Sequence, residues 1–154
     1  MADIPIRCFA VSVVIIRHAS TGHQVLLLRR NQTLVGEWCQ IVGGIEDGET
    51  AWQTALREVK EETGLVCQHL YSGDICEQFY EADRNAISLL PVFVGVVDAY
   101  AEVTINEEHS EFRWVSFNEA LTMLPFAGQR KVIRHIEAEF VQRSPSKYLR
   151  IQTP

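Results

Sequence analysis

Six carboxylates fall between residues 46 and 62, in and just before a segment with the periodicity of an amphipathic helix. The pattern predicts a helix over residues 50–63, ended by Gly64, the residue type that adopts the left-handed conformation after a helix C-terminus. At 100° per residue, Glu58 and Glu62 fall at the edge of the apolar stripe. The fold must therefore place acidic side chains against its own core.

Crowded, partly buried carboxylates repel one another, and this repulsion destabilises the fold unless a cation or protonation offsets it. Glu58, Glu61 and Glu62 are neighbours at helical spacing, and partly buried carboxylates this close either take raised pKa values or require a cation. A merely solvated acidic face is the alternative, but the outward face belongs instead to Arg57 and Lys60. Because Mg²⁺ is bound through carboxylates, waters and substrate phosphates, we predict a metal site.

The residues that flank this helix support the same interpretation. A glycine-rich turn over residues 43–48 permits backbone conformations that other residues disfavour. Glu49 precedes the helix, and Arg57 can offer it a bidentate guanidinium contact that fixes the turn against the helix. We expect Glu49 and Arg57 to be mainly architectural.

The spacing of these residues resembles a known family signature. Gly43, Glu49 and the run from Arg57 to Leu65 match the Nudix box, G-x5-E-x7-R-E-U-x-E-E-x-G-U with U a bulky aliphatic, at every defined position. The resemblance covers residues 43–65 and implies the Nudix fold, an α+β fold with an α/β/α sandwich and a mixed β-sheet. It also implies a pyrophosphohydrolase, dependent on Mg²⁺ or Mn²⁺, that acts on a nucleoside diphosphate derivative.

The resemblance also implies roles for individual residues. By analogy, Glu58, Glu61 and Glu62 bind metal, with a backbone carbonyl near Gly43 as a further ligand, and Glu58 and Glu61 count among the catalytic residues. The position of Glu108 ahead of a late strand is similar to the distal glutamate of the MutT-like branch, which makes it the first candidate for the general base. Glu61 and Glu107 are the alternatives.

The remaining sequence predicts one domain over residues 1–154. Alternating and continuous apolar runs indicate strands, and a capping-box spacing from Ser116 to Glu119 opens a short helix that ends before Pro125. A last helix is expected over residues 128–141, and residues 144–154 are expected to form a loosely held tail. The predicted strands are 7–17, 24–30, 38–42, 66–80, 86–99 and 111–115.

Composition narrows the class of protein. The net charge of −6 disfavours nucleic acid as a partner, because an acidic field repels phosphates. The longest apolar runs are too short for a membrane helix and no signal peptide is apparent. The four cysteines lack metal-ligand spacing and are expected to be buried thiols in a reducing cytoplasm. A monomer and a homodimer are both compatible with the sequence.

Basic and aromatic residues outside the signature are the candidates for contact with a small nucleotide substrate. The candidate substrate-binding residues are Arg29, Arg30, Trp38, Arg84 and Arg130. Phe79, Tyr80 and Phe126 are further candidates for stacking on a base. Short segments, 38–50 and 108–114, together with the start of the last helix, resemble the bacterial dihydroneopterin triphosphate and dATP pyrophosphohydrolase branch.

The leading interpretation is hydrolysis of a (deoxy)nucleoside triphosphate to the monophosphate and pyrophosphate. Hydrolysis of a nucleoside diphosphate sugar or of a dinucleoside polyphosphate is the alternative within the enzyme class. A non-catalytic ligand sensor on the same fold would not need all three glutamates of the signature. An isomerase acting on a prenyl diphosphate would need its own cysteine and glutamate pair, which nothing in the sequence indicates.

Overall fold

Most of the apolar sequence forms strands, as its alternation predicts. In the computed structural model, which describes residues 1–153, the chain forms a mixed sheet of eight strands and three α-helices. The strands β1 to β8 are Ile6–Arg7, Ala10–Ala19, Gly22–Arg30, Trp38–Cys39, Ile41–Gly44, His69–Glu81, Ala86–Val96 and His109–Val115. The helices α1 to α3 are Ala51–Thr63, Phe117–Met123 and Ala127–Ile136.

The sheet is organised around β2, the most buried strand. It forms an antiparallel hairpin with β3 and runs parallel to β7. β5 pairs antiparallel with β2, and β8 with β3. β6 and β7 form a long antiparallel pair joined by a short turn. The predicted hairpins are therefore present.

The two faces of the sheet bury two separate cores. Alternate residues of β2 point to opposite faces, so that Val13 joins the core beneath α1 whereas Val14 joins the core beneath α2 and α3. Val59 of α1 and Ile133 of α3 are 1% exposed and anchor their helices to the two faces. Helices thus cover both faces of a mixed sheet, and the predicted α/β/α sandwich is confirmed.

The ends of α1 are set by local side-chain chemistry. Thr50 Oγ1 accepts a hydrogen bond from the Gln53 backbone N–H, and Gln53 Oε1 accepts one from the Thr50 N–H, which satisfies two helix N–H groups that lack intrahelical partners. Gly64 ends the helix in the left-handed conformation, with φ 71°. The prediction for this helix is confirmed, and the capping box of Ser116 and Glu119 is likewise present at α2.

The strand expected over residues 38–42 is divided in the structure. β4 pairs with β3, whereas β5 pairs with β2. Gln40 lies between them and is 2% exposed. A buried polar residue therefore occupies the point at which the chain changes its pairing partner.

The end of the chain differs from the expectation of a loose tail. After α3 the chain continues through a π-helical turn, Glu137–Val141, and a 3-10 turn, Lys147–Leu149. Arg150 then bridges to Tyr71 of β6, and the Ile151 N–H donates to the Leu70 carbonyl at 2.9 Å. Leu149 and Ile151 pack against the two cores, so this segment is held by apolar contacts and hydrogen bonds. Pro154 lies outside the described residues.

The cysteines correct a second expectation. All four are free thiols, but only Cys39 is buried, while Cys8 and Cys76 are exposed. Cys76 lies on β6, where alternation turns every second side chain outward. Among residues 1–153, no helix combines the length and the apolar character needed to cross a membrane.

We predict that Leu149→Ala lowers the free energy of unfolding by about 1 kcal/mol, less than the 2–5 kcal/mol typical of a fully buried leucine because Leu149 is only partly buried. Tyr148→Ala is the matched control, since the Tyr148 side chain is 86% exposed. Urea denaturation measures both. Equal, negligible effects would contradict the docked arrangement of this segment.

Candidate active site

Arg57 connects the glycine-rich turn to α1. Its Nε and Nη2 donate to the two carboxylate oxygens of Glu49 at 2.8 and 2.9 Å, and Nη2 also donates to the Gly44 carbonyl at 2.9 Å. These hydrogen bonds, with one from the Glu46 N–H, lower the pKa of Glu49 to about 2. The expected bidentate pair is present.

The same guanidinium reaches two of the acidic residues on the helix. Arg57 Nη1 donates to Glu58 Oε1 at 2.9 Å and to Glu61 Oε2 at 3.2 Å. The helical periodicity placed Arg57 on the outward face, but its side chain folds back and is 21% exposed. One cation thus offsets three carboxylates, and its own pKa is raised, chiefly by the hydrogen bonds to Glu49.

Glu62 has no such partner. The residue is 2% exposed, and its Oε2 is buried without a hydrogen bond from any described residue. The nearest base, His109 Nε2, lies 3.9 Å from Glu62 Oε1, beyond hydrogen-bond distance. Burial, reinforced by the charges of Glu58 and Glu108, raises the pKa of Glu62 to about 9.

A second element brings further ligand-type atoms to Glu62. Single donor atoms of Glu62, Glu108 and His109 lie within 4.8 Å of one another. Glu108 is exposed in the loop before β8, whereas His109 is 8% exposed and has an unpartnered Nδ1. Burial lowers the pKa of His109, which favours the neutral ring. The structure therefore places Glu108 beside the acidic helix, as its candidacy as general base requires.

Gly43 lies directly against the Glu58 carboxyl group. A Cβ atom at position 43 would overlap the Glu58 side chain, so only glycine fits there without displacing it. Burial raises the pKa of Glu58, while the hydrogen bond from Arg57 opposes that rise. Glu61 is the most exposed of the three signature glutamates, with 55% of its side chain accessible.

These residues fit a divalent metal. Glu62 supplies an unpartnered buried oxygen, Gly43 leaves room for the Glu58 carboxyl, and the charges of Glu61 and Glu108 also act on Glu62. Carboxylate oxygens of this kind suit hard divalent cations, and a neutral imidazole nitrogen is also an acceptable ligand for several of them.

Two adjoining cavities lie beside this acidic cluster. The smaller, about 200 Å³, is lined by Glu62, Glu108 and His109. The larger, about 560 Å³, opens toward β6 and the start of α3. Arg30, Cys39 and Val42 line both cavities and therefore mark the place where the two adjoin.

Two of the predicted substrate-binding arginines face these cavities. Arg30 lies at the junction of the two, held by hydrogen bonds to the carbonyl and hydroxyl oxygens of Thr33. Arg84 lines the larger cavity and donates to Glu81 at 3.2 Å. Both are placed to meet an anionic substrate.

The predicted stacking candidates Phe79, Tyr80 and Phe126 line the larger cavity, whereas Arg29, Trp38 and Arg130 lie outside the cavity linings. Arg29 forms an ion pair with Glu111 at 3.6 Å, and the Trp38 ring stacks beneath the guanidinium of another arginine. Arg130 donates to the Leu124 carbonyl at 2.9 Å. Their contacts here are with the protein itself.

Four buried polar residues near the cavities were not identified from the sequence. His109 borders the smaller cavity, Gln40 lies at the junction of β4 and β5, and Glu77 and Gln129 line the larger cavity. Glu77 is an acidic residue between Cys76 and Gln78, and its residue type alone does not predict that it is 7% exposed. Only the pairing of β6 with β7 turns it inward.

Residues 7–136 match the NUDIX domain family. The chain belongs to this family. The prediction of a Nudix hydrolase is thereby confirmed.

Curated relatives span several activities. The chain is 33% identical to an octanoyltransferase of Myxococcus xanthus over 88% of its own length, but it spans only 38% of that protein. It is 26% identical to the asymmetrical bis(5'-nucleosyl)-tetraphosphatase of Caenorhabditis elegans, over 84% of this chain and 94% of the relative. It is 33% identical to the nucleoside triphosphatase NudI of Escherichia fergusonii, over 52% of this chain and 62% of the relative.

Solved structures agree on the fold. The C. elegans Ap4A hydrolase binary complex superposes with a TM-score of 0.73 at 23% identity, covering 84% of this chain and 94% of that one. The E. coli dihydroneopterin triphosphate pyrophosphohydrolase gives a TM-score of 0.70 at 22% identity, covering 92% and 100%. At these identities the likeness concerns the fold alone, and the resemblance to the dihydroneopterin triphosphate branch stays a prediction.

We predict that Glu62→Gln raises the thermal stability of the protein measured in a chelator. The substitution removes a carboxyl group whose ionisation is opposed by burial and neighbouring acids, and each unit of such a pKa shift corresponds to about 1.4 kcal/mol. Glu102→Gln makes the same charge change at an exposed loop position and should leave the melting temperature unchanged. A Glu62→Gln protein less stable than the wild type would contradict this account of the site.

Proposed function

We propose that this protein is a divalent-metal-dependent pyrophosphohydrolase that uses Mg²⁺ or Mn²⁺ to cleave a phosphoanhydride of a nucleoside diphosphate derivative. The substrate we favour is a (deoxy)nucleoside triphosphate, cleaved to the monophosphate and pyrophosphate. The observation that carries the proposal is the buried, unpartnered Glu62 carboxylate among other acids, beside a cavity large enough for a nucleoside.

In this proposal the metal is held by Glu58, Glu61 and Glu62, with the Gly43 carbonyl as a further ligand. When bound, the metal neutralises diphosphate oxygens and makes water a better nucleophile toward phosphorus. The protein itself carries a net charge of −6, so a cation at this surface also removes the repulsion that a polyphosphate would otherwise meet.

The remaining tasks fall to the side chains around the cavities. Glu108 is exposed and borders the smaller cavity, where it can accept a proton from the attacking water, with Glu61 and Glu107 as the alternative bases. Arg30 and Arg84 can donate to phosphate oxygens from the two cavities. We further expect a cytoplasmic protein, a monomer or a homodimer, that acts on a small nucleotide and has neither a membrane nor a nucleic acid as a partner.

Hydrolysis of a dinucleoside polyphosphate is the second candidate. The asymmetrical bis(5'-nucleosyl)-tetraphosphatase relative aligns over 94% of its own length, against 62% for the nucleoside triphosphatase relative. Such a substrate has a second nucleoside, which would extend from the acidic cluster away from the larger cavity. Product analysis separates the two candidates, because a triphosphate yields pyrophosphate, whereas a dinucleoside tetraphosphate yields two nucleotides.

We predict that Glu61→Gln and Glu62→Gln each reduce turnover of nucleoside triphosphates by orders of magnitude with Mg²⁺ or Mn²⁺, while the proteins remain folded. Each removes an anionic ligand from the proposed metal site. Titration with Mg²⁺ or Mn²⁺ should raise the melting temperature of the wild type, because a ligand that binds only the folded state stabilises it. The melting temperature of Glu62→Gln should stay nearly unchanged in the same titration. Glu102→Gln serves as the control. Full activity of the Glu62→Gln protein would reject the site.

We predict that Glu108→Gln lowers kcat by roughly 10²- to 10⁴-fold, the usual contribution of a general base, with little change in metal affinity. Saturating substrate and a Mg²⁺ titration separate the two effects. A large loss of metal affinity would instead assign Glu108 to the metal, as its proximity to Glu62 and His109 also permits. An unchanged kcat would remove Glu108 from the reaction.

A further inference from the structure

A chain of hydrogen bonds crosses the floor of the larger cavity, and its direction is fixed at one end by the backbone. The Phe126 N–H donates to Gln129 Oε1 at 3.1 Å, so Gln129 Nε2 faces Gln40 Oε1 at 3.4 Å. Gln40 then directs its Nε2 to Ser12 Oγ at 3.0 Å and to Glu77 Oε1 at 2.6 Å. Because a backbone N–H can only donate, both amide orientations are determined.

This chain leaves Glu77 with one oxygen committed and one available. Oε1 accepts from Gln40 and, at 3.5 Å, from Ser12. Oε2 receives no hydrogen bond from the described residues, and Glu77 lines the cavity although it is 7% exposed. Because Glu77 lines the cavity and its Oε2 has no donor among the described residues, that oxygen is open to a ligand that brings an N–H group to it.

The rest of the cavity suits a flat ring. Phe79 and Phe126 line it and are 41% and 52% exposed, which is unusual for large aromatics and leaves their faces free to stack. Arg30, at the junction with the smaller cavity, lies between this space and the acidic cluster. A nucleotide with its phosphates near Glu62 would therefore place its base over Glu77.

Bases differ in what they present to a carboxylate. The guanine edge carries a ring N–H beside an exocyclic amino group, so adjacent donors face the same direction. Adenine and cytosine present one amino donor beside a ring-nitrogen acceptor, which would face Glu77 with a lone pair. A carboxylate donates no hydrogen bond, so Oε2, the oxygen that remains available, is best matched by an edge whose neighbouring groups are all donors, which is the guanine edge.

We propose that Glu77 is a specificity-determining residue that accepts hydrogen bonds from the amino-lactam edge of a guanine-type base held in the larger cavity. This inference rests on the proposed function, since it assigns the base of that nucleotide substrate. Burial raises the pKa of Glu77, whereas hydrogen bonds from the Ser12 hydroxyl and the Gln40 amide favour its ionised form, as donors from a ligand would.

The test compares GMP, IMP and AMP binding by calorimetry, and GTP and ATP hydrolysis with Mg²⁺. We expect the wild type to bind GMP at least tenfold more tightly than AMP, with IMP, which keeps the ring N–H but lacks the amino group, in between. In Glu77→Gln the Gln40 Nε2 must still meet an oxygen, so the new amide directs its NH₂ into the cavity and replaces an acceptor by a donor. GMP affinity should fall at least tenfold while AMP affinity does not fall.

Two further variants serve as controls. Glu102→Gln repeats the charge change on an exposed loop and should leave all three affinities unchanged. Phe126→Ala removes a stacking face and should weaken GMP and AMP alike, because stacking does not depend on the base edge.

Equal binding of GMP and AMP by the wild type would overturn the inference, as would an unchanged GMP to AMP ratio in Glu77→Gln. The wild-type ranking decides the question even if that variant fails to fold. Hydrolysis of GTP and ATP with equal kcat/KM would also overturn the inference while leaving the proposed function intact. Selective GMP binding without hydrolysis of any triphosphate would support the Glu77 assignment and reject the proposed function.

Discussion

The Arg57 guanidinium makes the contacts on which the acidic surface depends. It holds the Glu49 carboxylate and the Gly44 carbonyl on one side and Glu58 and Glu61 on the other, so a single planar cation connects the end of β5, the turn and α1. Lysine has the charge but not the fork of donors needed for this. With the turn fixed in this way, acids that would otherwise separate into solvent remain on one surface.

Arg57 does not reach Glu62, so the acids of α1 fall into two groups, those paired with Arg57, and Glu62, which is not. The structure neutralises the acids that set its architecture and leaves uncompensated the acid that is most deeply buried. A site of this kind is less stable when empty, because the protein retains a carboxyl group whose ionisation burial opposes. In the proposed metal site, relief of this unfavourable free energy would contribute to the affinity for a cation, so the instability of the site without metal and its proposed affinity for metal have one origin.

Features that depend on residues close together in the sequence could be predicted, whereas features that depend on contacts between distant segments could not. The helix over residues 50–63 and its crowded edge were accessible because helical periodicity fixes neighbours three and four residues apart. The pairing of Arg57 with Glu49 was also accessible from residue type, but the contacts of the same guanidinium with Glu58 and Glu61 were not, because the helical wheel alone places Arg57 on the outward face. The burial of Glu77 and His109 was not predicted from the sequence. Glu77 is buried because β6 pairs with β7, and His109 is buried because the start of β8 lies beside Glu62 of the acidic helix. The docked segment around Leu149 depends on equally distant partners.

Gln40 lies at the break between β4 and β5, next to both the proposed base-binding residue Glu77 and the acidic cluster. The break between β4 and β5 occurs because the chain leaves β3 and begins to pair with β2, and an unpaired residue at such a break can turn its side chain into the space between elements. Here that side chain carries the hydrogen bonds from Gln129 to Glu77, and nearby Cys39 and Val42 line the smaller cavity beside the acidic cluster. A shift of this break would therefore disturb the proposed base contact and the proposed metal site together, which couples substrate choice to the position of the reacting phosphates through a single segment of backbone.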